Sequence, residues 1–153
     1  MSDQAIDLAE ALRRGLDSRV AHVHVALPGK VTRYDLAAGV VDVQPMVRRA
    51  VPDVDGETVL EDLPVIPSVP VCFPSGGGCS ISFPIAAGDP VQILFNERDL
   101  DRYRASGGAL SDPGVLSTHG LSGAVALPVS IKEAADADGS HVKIALSGSK
   151  ELH

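Results

Sequence analysis

The chain has 153 residues, of which 44 % are apolar, and carries a formal net charge of −7. That length suits one domain with room for a core. The charge argues against a nucleic-acid partner, because phosphate binding rests on neutralising Lys and Arg contacts. Aromatics are only Phe73, Phe83, Phe95, Tyr34 and Tyr103, with no Trp, so the core is expected to be Val, Leu, Ile and Ala.

In chain order, residues 3–22 read as a helix. Asp3 suits the N-cap, acidic residues crowd the early turns, and Arg13, Arg14 and Arg19 come later, as the helix dipole favours. Ala5, Leu8, Ala9, Leu12, Leu16 and Val20 form an apolar stripe at helical spacing. The start Met1-Ser2-Asp3-Gln4-Ala5 has no basic or apolar leader pattern, so a soluble protein made in the cytoplasm is expected. No apolar run approaches the roughly 20 residues that span a bilayer.

Pro28-Gly29 signals a turn or bend around which strands begin. Residues 30–34 lean to strand. Residues 40–47 alternate, with Val41, Val43 and Val47 on one face and Asp42 and Gln44 on the other. Pro45 predicts an edge position or a bulge. Residues 52–58 read as a polar loop and residues 59–67 as an extended, proline-interrupted segment. Residues 69–95 hold three short apolar runs separated by Gly76-Gly77-Gly78 and Gly88-Asp89-Pro90, the pattern of antiparallel strands on tight connections. Residues 96–108 read as a short helix capped by Asn96 and closed by Gly107. Residues 125–131 are apolar and extended. A polar linker at 132–139 leads to a last alternating strand at 140–146.

The predicted fold class is mainly β. A small OB-type β-barrel carries an N-terminal α-helix and a short helix, and about five strands with Gly/Pro corners fit it. The expected division is 1–24 for the N-terminal helix, 25–131 for the barrel and 132–153 for the linker and terminal strand. A lone strand with an apolar face cannot stay single in water, so Val142, Ile144 and Leu146 are expected to meet copies of themselves around a threefold axis.

Chemistry is sparse. His22 and His24 are the metal candidates, but a site needs further ligands and no Cys or carboxylate cluster flanks them. A helix end or subunit contact is the reading kept, and a metal-dependent hydrolase built on them is the enzymatic alternative. His119 beside Thr118 and Ser117 invites a triad, yet no Gly-x-Ser-x-Gly elbow exists. Gly76, Gly77 and Gly78 lack the Lys-Ser/Thr of a phosphate loop and read as a structural turn. Asp53, Asp55, Glu57, Glu61 and Asp62 miss the EF-hand spacing and read as a solvated acidic loop. Glu97 to Arg104 alternates charge sign, as an exposed helix face does. Cys72 and Cys79 flank the glycine turn and read as two free, partly buried thiols, a disulfide needing an oxidising compartment. No cofactor and no enzymatic activity are expected. A barrel this acidic and aromatic-poor suits assembly better than single-strand binding; an OB module for oligonucleotide or glycan is the alternative.

Several pieces resemble, in order, one family. They are Leu27-Pro28-Gly29-Lys30-Val31, Val41-Asp42-Val43-Gln44-Pro45, Pro70-Val71-Cys72-Phe73-Pro74-Ser75-Gly76-Gly77-Gly78, Phe83-Pro84-Ile85 with Gly88-Asp89, Asp99-Leu100-Asp101 through Ser106-Gly107-Gly108, and His119 through Pro128. The set resembles the N-terminal domain of tailed-phage baseplate central spike (cell-puncturing) proteins. The resemblance implies a homotrimer whose OB-fold domain attaches below the tail tube and baseplate hub, in the virion tail. It also implies that the C-terminal strand starts an intertwined β-prism or β-helix that transiently meets the host outer membrane. The chain departs from the pattern in two places. The His119–Gly123 stretch has Gly where the family favours Asp, and after Gly139 few residues remain for a spike, which is then either very short or truncated.

Overall fold

The computed structural model describes residues 7–20, 23–52, 55, 57–112, 114 and 118–129. The fold is mainly β. A five-stranded antiparallel sheet runs in the order β5-β2-β1-β8-β9, built from β1 (Ala26–Asp35), β2 (Val40–Pro45), β5 (Ile66–Pro70), β8 (Pro90–Phe95) and β9 (Ala124–Leu127). Two small ladders stand apart from it, β3 (Arg48–Pro52) with β4 (Thr58–Asp62) and β6 (Ser75–Gly76) with β7 (Cys79–Ser80). Two α-helices complete the described chain, α1 (Leu8–Val20) and α2 (Asp101–Ala105).

The large sheet curls into a half-barrel. Past the end of β5, Val71 makes a parallel bridge with Ala126 of β9, and the Cys72 N–H donates to the Ala126 carbonyl at 2.8 Å. The two ends of the sheet therefore meet. Val31, Val41, Val43, Ile66, Val69, Val91, Ile93 and Phe95 fill the concave side. Alternation explains the selection: β8 buries Val91, Ile93 and Phe95 and turns Leu94 outward.

Pro28-Gly29 is no turn. Both lie inside β1, where Gly29 pairs with Pro45 on one side and Val91 on the other. A Cβ on Gly29 would fall 2.5 Å from Val43 Cγ1 and 2.9 Å from Ile93 Cδ1. The glycine is there because core side chains cross its backbone. Pro45 is not on an edge strand either, since β2 lies between β1 and β5. It is tolerated as the last residue of β2, beyond the final rung with β5 at Val43↔Ile66.

The expected three-stranded meander of 69–95 is not formed. The glycine turn closes only the two-residue ladder of β6 and β7, while Gly88-Asp89-Pro90 leads into β8 of the main sheet. The helix expected at 96–108 is shorter and starts later. Asn96 does not cap it. Its Nδ2 donates to the Gly123 carbonyl at 2.9 Å, and its backbone N–H donates to that same oxygen at 2.9 Å. The C-terminal expectation for Gly107 matches the geometry. Gly107 and Gly108 have φ of 68° and 91°, and their N–H groups donate to the carbonyls of Arg104 and Tyr103, a Schellman ending.

Helix α1 begins after Asp7, whose side chain accepts from the Ala9 N–H at 3.4 Å; Asp3 lies outside the described residues. None of its residues is buried.

Candidate functional site

Asp42 holds the curl of the sheet. Register slips between Val31 and Arg33 on the β1 side and between Val41 and Val43 on the β5 side, so Asp42 sits between two bulges. Its Oδ2 accepts from Arg33 Nε at 2.8 Å. Its Oδ1 accepts from the Ser68 N–H at 2.9 Å, and its carbonyl accepts from Thr32 Oγ1 at 3.0 Å. Ser68 is left-handed at φ 55°, a strained state for a residue with a side chain. The Arg33 hydrogen bond, then the Ser68 N–H, hold the Asp42 carboxyl below its ordinary range. This is a pin for sheet curvature.

The sequence-predicted residues are dispersed rather than gathered. His24 rests on Phe95 with ring centroids 5.1 Å apart. His22 lies outside the described residues, as do Val142, Ile144 and Leu146. Among the described residues no group of three or more His, Cys, Asp or Glu could hold a metal. His119 has a left-handed backbone at φ 53°, its N–H donates to the Glu97 carbonyl at 3.3 Å, and its buried Nδ1 has no hydrogen-bond partner among the described residues. Gly77 and Gly78 form the β6–β7 turn with φ of 58° and 80°, the mirror-image turn that suits tight hairpins. No atom lies within 4 Å of a Cβ built on Gly76, Gly77 or Gly78, so they face open space. Across that hairpin Cys79 pairs with Gly76, not with Cys72. Both cysteines are free and surface-exposed, and partial burial of the Cys72 thiol pushes it upward.

The acidic loop resolves into structure that sequence reasoning missed. Glu61 and Asp62 lie on β4, opposite Arg49 and Arg48 of β3. Arg48 Nε meets Asp62 Oδ1 at 2.7 Å and Arg49 meets Glu61 Oε2 at 2.9 Å. The signal was present: Arg48 and Arg49 stand as far before Asp55 as Asp62 and Glu61 stand after it, and Asp55-Gly56 is a hairpin-forming dipeptide. Where this hairpin leaves the sheet, an apolar groove of about 600 Å³ opens, lined by His24, Leu27, Val47, Val51, Pro64 and Ile66 among others.

What the molecule presents is therefore surface. On α1 the stripe Leu8, Leu12, Leu16 and Val20 is 60 to 73 % exposed. A helix of 13 residues is marginal alone in water, and its stability comes from covering such a stripe. Exposed aligned apolar side chains mark contact surfaces. No helix among the described residues is long and apolar enough to cross a membrane. The arrangement can bind other surfaces.

Comparison with known families matches the chain to the family described as phage protein Gp138 N-terminal domain, over residues 27–129. Comparison with curated proteins finds no match.

Proposed function

We infer that this chain, which belongs to the phage protein Gp138 N-terminal domain family, is a structural component of a phage tail baseplate. In this reading it is a trimeric central spike or hub protein that attaches below the tail tube and takes part in piercing the host envelope. The half-barrel is its OB-type domain. The observation that carries the reading is the extent of the family match. Residues 27–129 run from the second residue of β1 to just past β9, so the matched unit coincides with the curled sheet. The strand order β5-β2-β1-β8-β9, with the two ends meeting at Val71 and Ala126, supports the OB-type assignment. The uncovered stripe of α1 supports assembly over a solitary life in solution.

The test is mass and place together. Light scattering at micromolar concentration is expected to return three times the 15.8 kDa of the chain. Antibody labelling of purified particles is expected to mark the tail end distal to the head. A stable monomer, or label confined to the head, overturns the proposal.

A further inference from the structure

Among the described residues, the β3–β4 hairpin carries an unpaired edge on each side. Within them its two strands pair with each other alone, and the described backbone hydrogen bonds outside the strands include none to residues 48–52 or 58–62. All five residues of β4 are exposed. A two-stranded ribbon is marginal by itself, and an open edge is a template for another strand. The two edges also differ in charge. β3 brings Arg48 and Arg49, and β4 brings Glu61 and Asp62. In-chain pairing leaves these groups accessible, with side chains 49 to 72 % exposed.

We propose that the acidic outer edge of β4 in one copy adds antiparallel to the basic outer edge of β3 in the next copy. The occupant is a second copy of this chain, because its β3 already complements this β4: in-chain register sets Arg48 against Asp62 and Arg49 against Glu61, and the added strand repeats those opposites. Two β3 edges or two β4 edges paired antiparallel about Ala50 or Leu60 would instead set Arg48 and Arg49 opposite Pro52 and Val51, or Glu61 and Asp62 opposite Val59 and Thr58, and so form no opposite-charge pair. The contact is heterologous, so repeated head to tail it closes into a ring when the rotation allows. This rests on the trimeric reading above and names the strands that join the protomers.

Cysteine crosslinking in the full chain, with Cys72 and Cys79 replaced by Ser, tests it. Directly opposed residues in an antiparallel ladder have Cα atoms about 4.5–5.5 Å apart, within disulfide reach. Ala50 and Leu60 are opposed in-chain and both are exposed, so Ala50→Cys and Leu60→Cys are made in separate chains. An equimolar mixture, dissociated and reassembled together, is expected to give a disulfide-linked dimer holding one chain of each kind. Either variant alone is expected to give none. Crosslinking of Leu60→Cys with itself overturns the proposal in favour of a symmetric β4–β4 contact. A trimeric mass with no crosslink in the mixture overturns it while leaving the trimer standing, and a monomeric mass overturns both. As a second variant, Arg48→Glu with Arg49→Glu is expected to lower the trimer fraction at least tenfold at micromolar concentration. Adding Glu61→Arg and Asp62→Arg to it is expected to restore the trimer.

Discussion

The half-barrel and the β3–β4 hairpin are both antiparallel β-structure from one chain, and they are held by opposite means. The half-barrel closes on Val, Ile and Phe side chains, with Val43 and Ile93 at 0 % exposure. The hairpin has an exposed acidic strand and cross-strand ion pairs in water. Burial of apolar surface stabilises by roughly 25 cal/mol per Å², whereas an exposed ion pair contributes about 0–1 kcal/mol. The half-barrel is thus sufficient for its own stability. The hairpin owes its form to the sheet it grows from and, in the proposed assembly, to its neighbour.

The contrast breaks first at the core. Ile93→Ala removes a side chain at 0 % exposure and leaves a cavity where β1, β2 and β8 converge. A loss of about 4 kcal/mol is expected in urea unfolding. Next comes Gly29→Ala, whose new methyl would lie 2.5 Å from Val43 Cγ1. Val43 and Ile93 are both fully buried, so about 2 kcal/mol of overpacking cost is expected. If Gly29→Ala unfolded at the wild-type urea concentration, the close crossing of β1 by core side chains would be wrong.

Legibility in the sequence followed the same division. The alternation of β2 was readable because one face is buried: Val41 and Val43 point inward as expected, and Asp42 and Gln44 remain half-buried. Val47 was expected on that face and is exposed, because the chain leaves the sheet at Met46 to start the hairpin. Period-two reasoning does not see where a strand ends. Pro28-Gly29 misled for a related reason. The same dipeptide serves a turn or a crowded strand centre, and only Val43 and Ile93, distant in sequence, decide which. Asn96 likewise looked like a cap until its partner, Gly123, was placed beside it by the fold. The site expectations were less legible. His24 packs against Phe95, a contact no local pattern announces. The acidic residues 61 and 62 found Arg48 and Arg49 through a hairpin whose Asp55-Gly56 signal had been read as loop.

Asp42 sharpens the comparison on the side of the half-barrel, since its carboxylate, besides its ion pair with Arg33 of β1, accepts from the Ser68 N–H of β5 and so ties three strands of the curled sheet together. The folded carboxyl titrates below its ordinary value of 3.8. Its stabilising contribution is therefore fully present above that value and is lost as pH falls through the lower, folded one. Asp42→Asn is expected to be less stable than wild type at neutral pH, with the gap closing below about pH 4. Urea midpoints measured down the acid limb check this. A gap that stayed constant would mean that Asp42 acts by shape, through its bond to the Ser68 N–H, and not by charge.

The smallest expected effect on folding is the one that separates the two regions most clearly. Arg49→Ala removes one exposed cross-strand pair of the hairpin. Its guanidinium is already solvated, so little desolvation is recovered and little attraction is lost. Unfolding stability is expected to change by less than about 0.5 kcal/mol, measured on protein dilute enough to be monomeric. The same substitution removes a positive charge from the β3 edge that is proposed to receive the acidic β4 of a neighbour. Assembly measured at micromolar concentration is therefore expected to weaken, and to weaken less at high salt, where the wild-type attraction is itself screened. A large loss of monomer stability would instead make the hairpin part of the half-barrel's cooperative unit, and the division between a self-sufficient sheet and a dependent ribbon would fall.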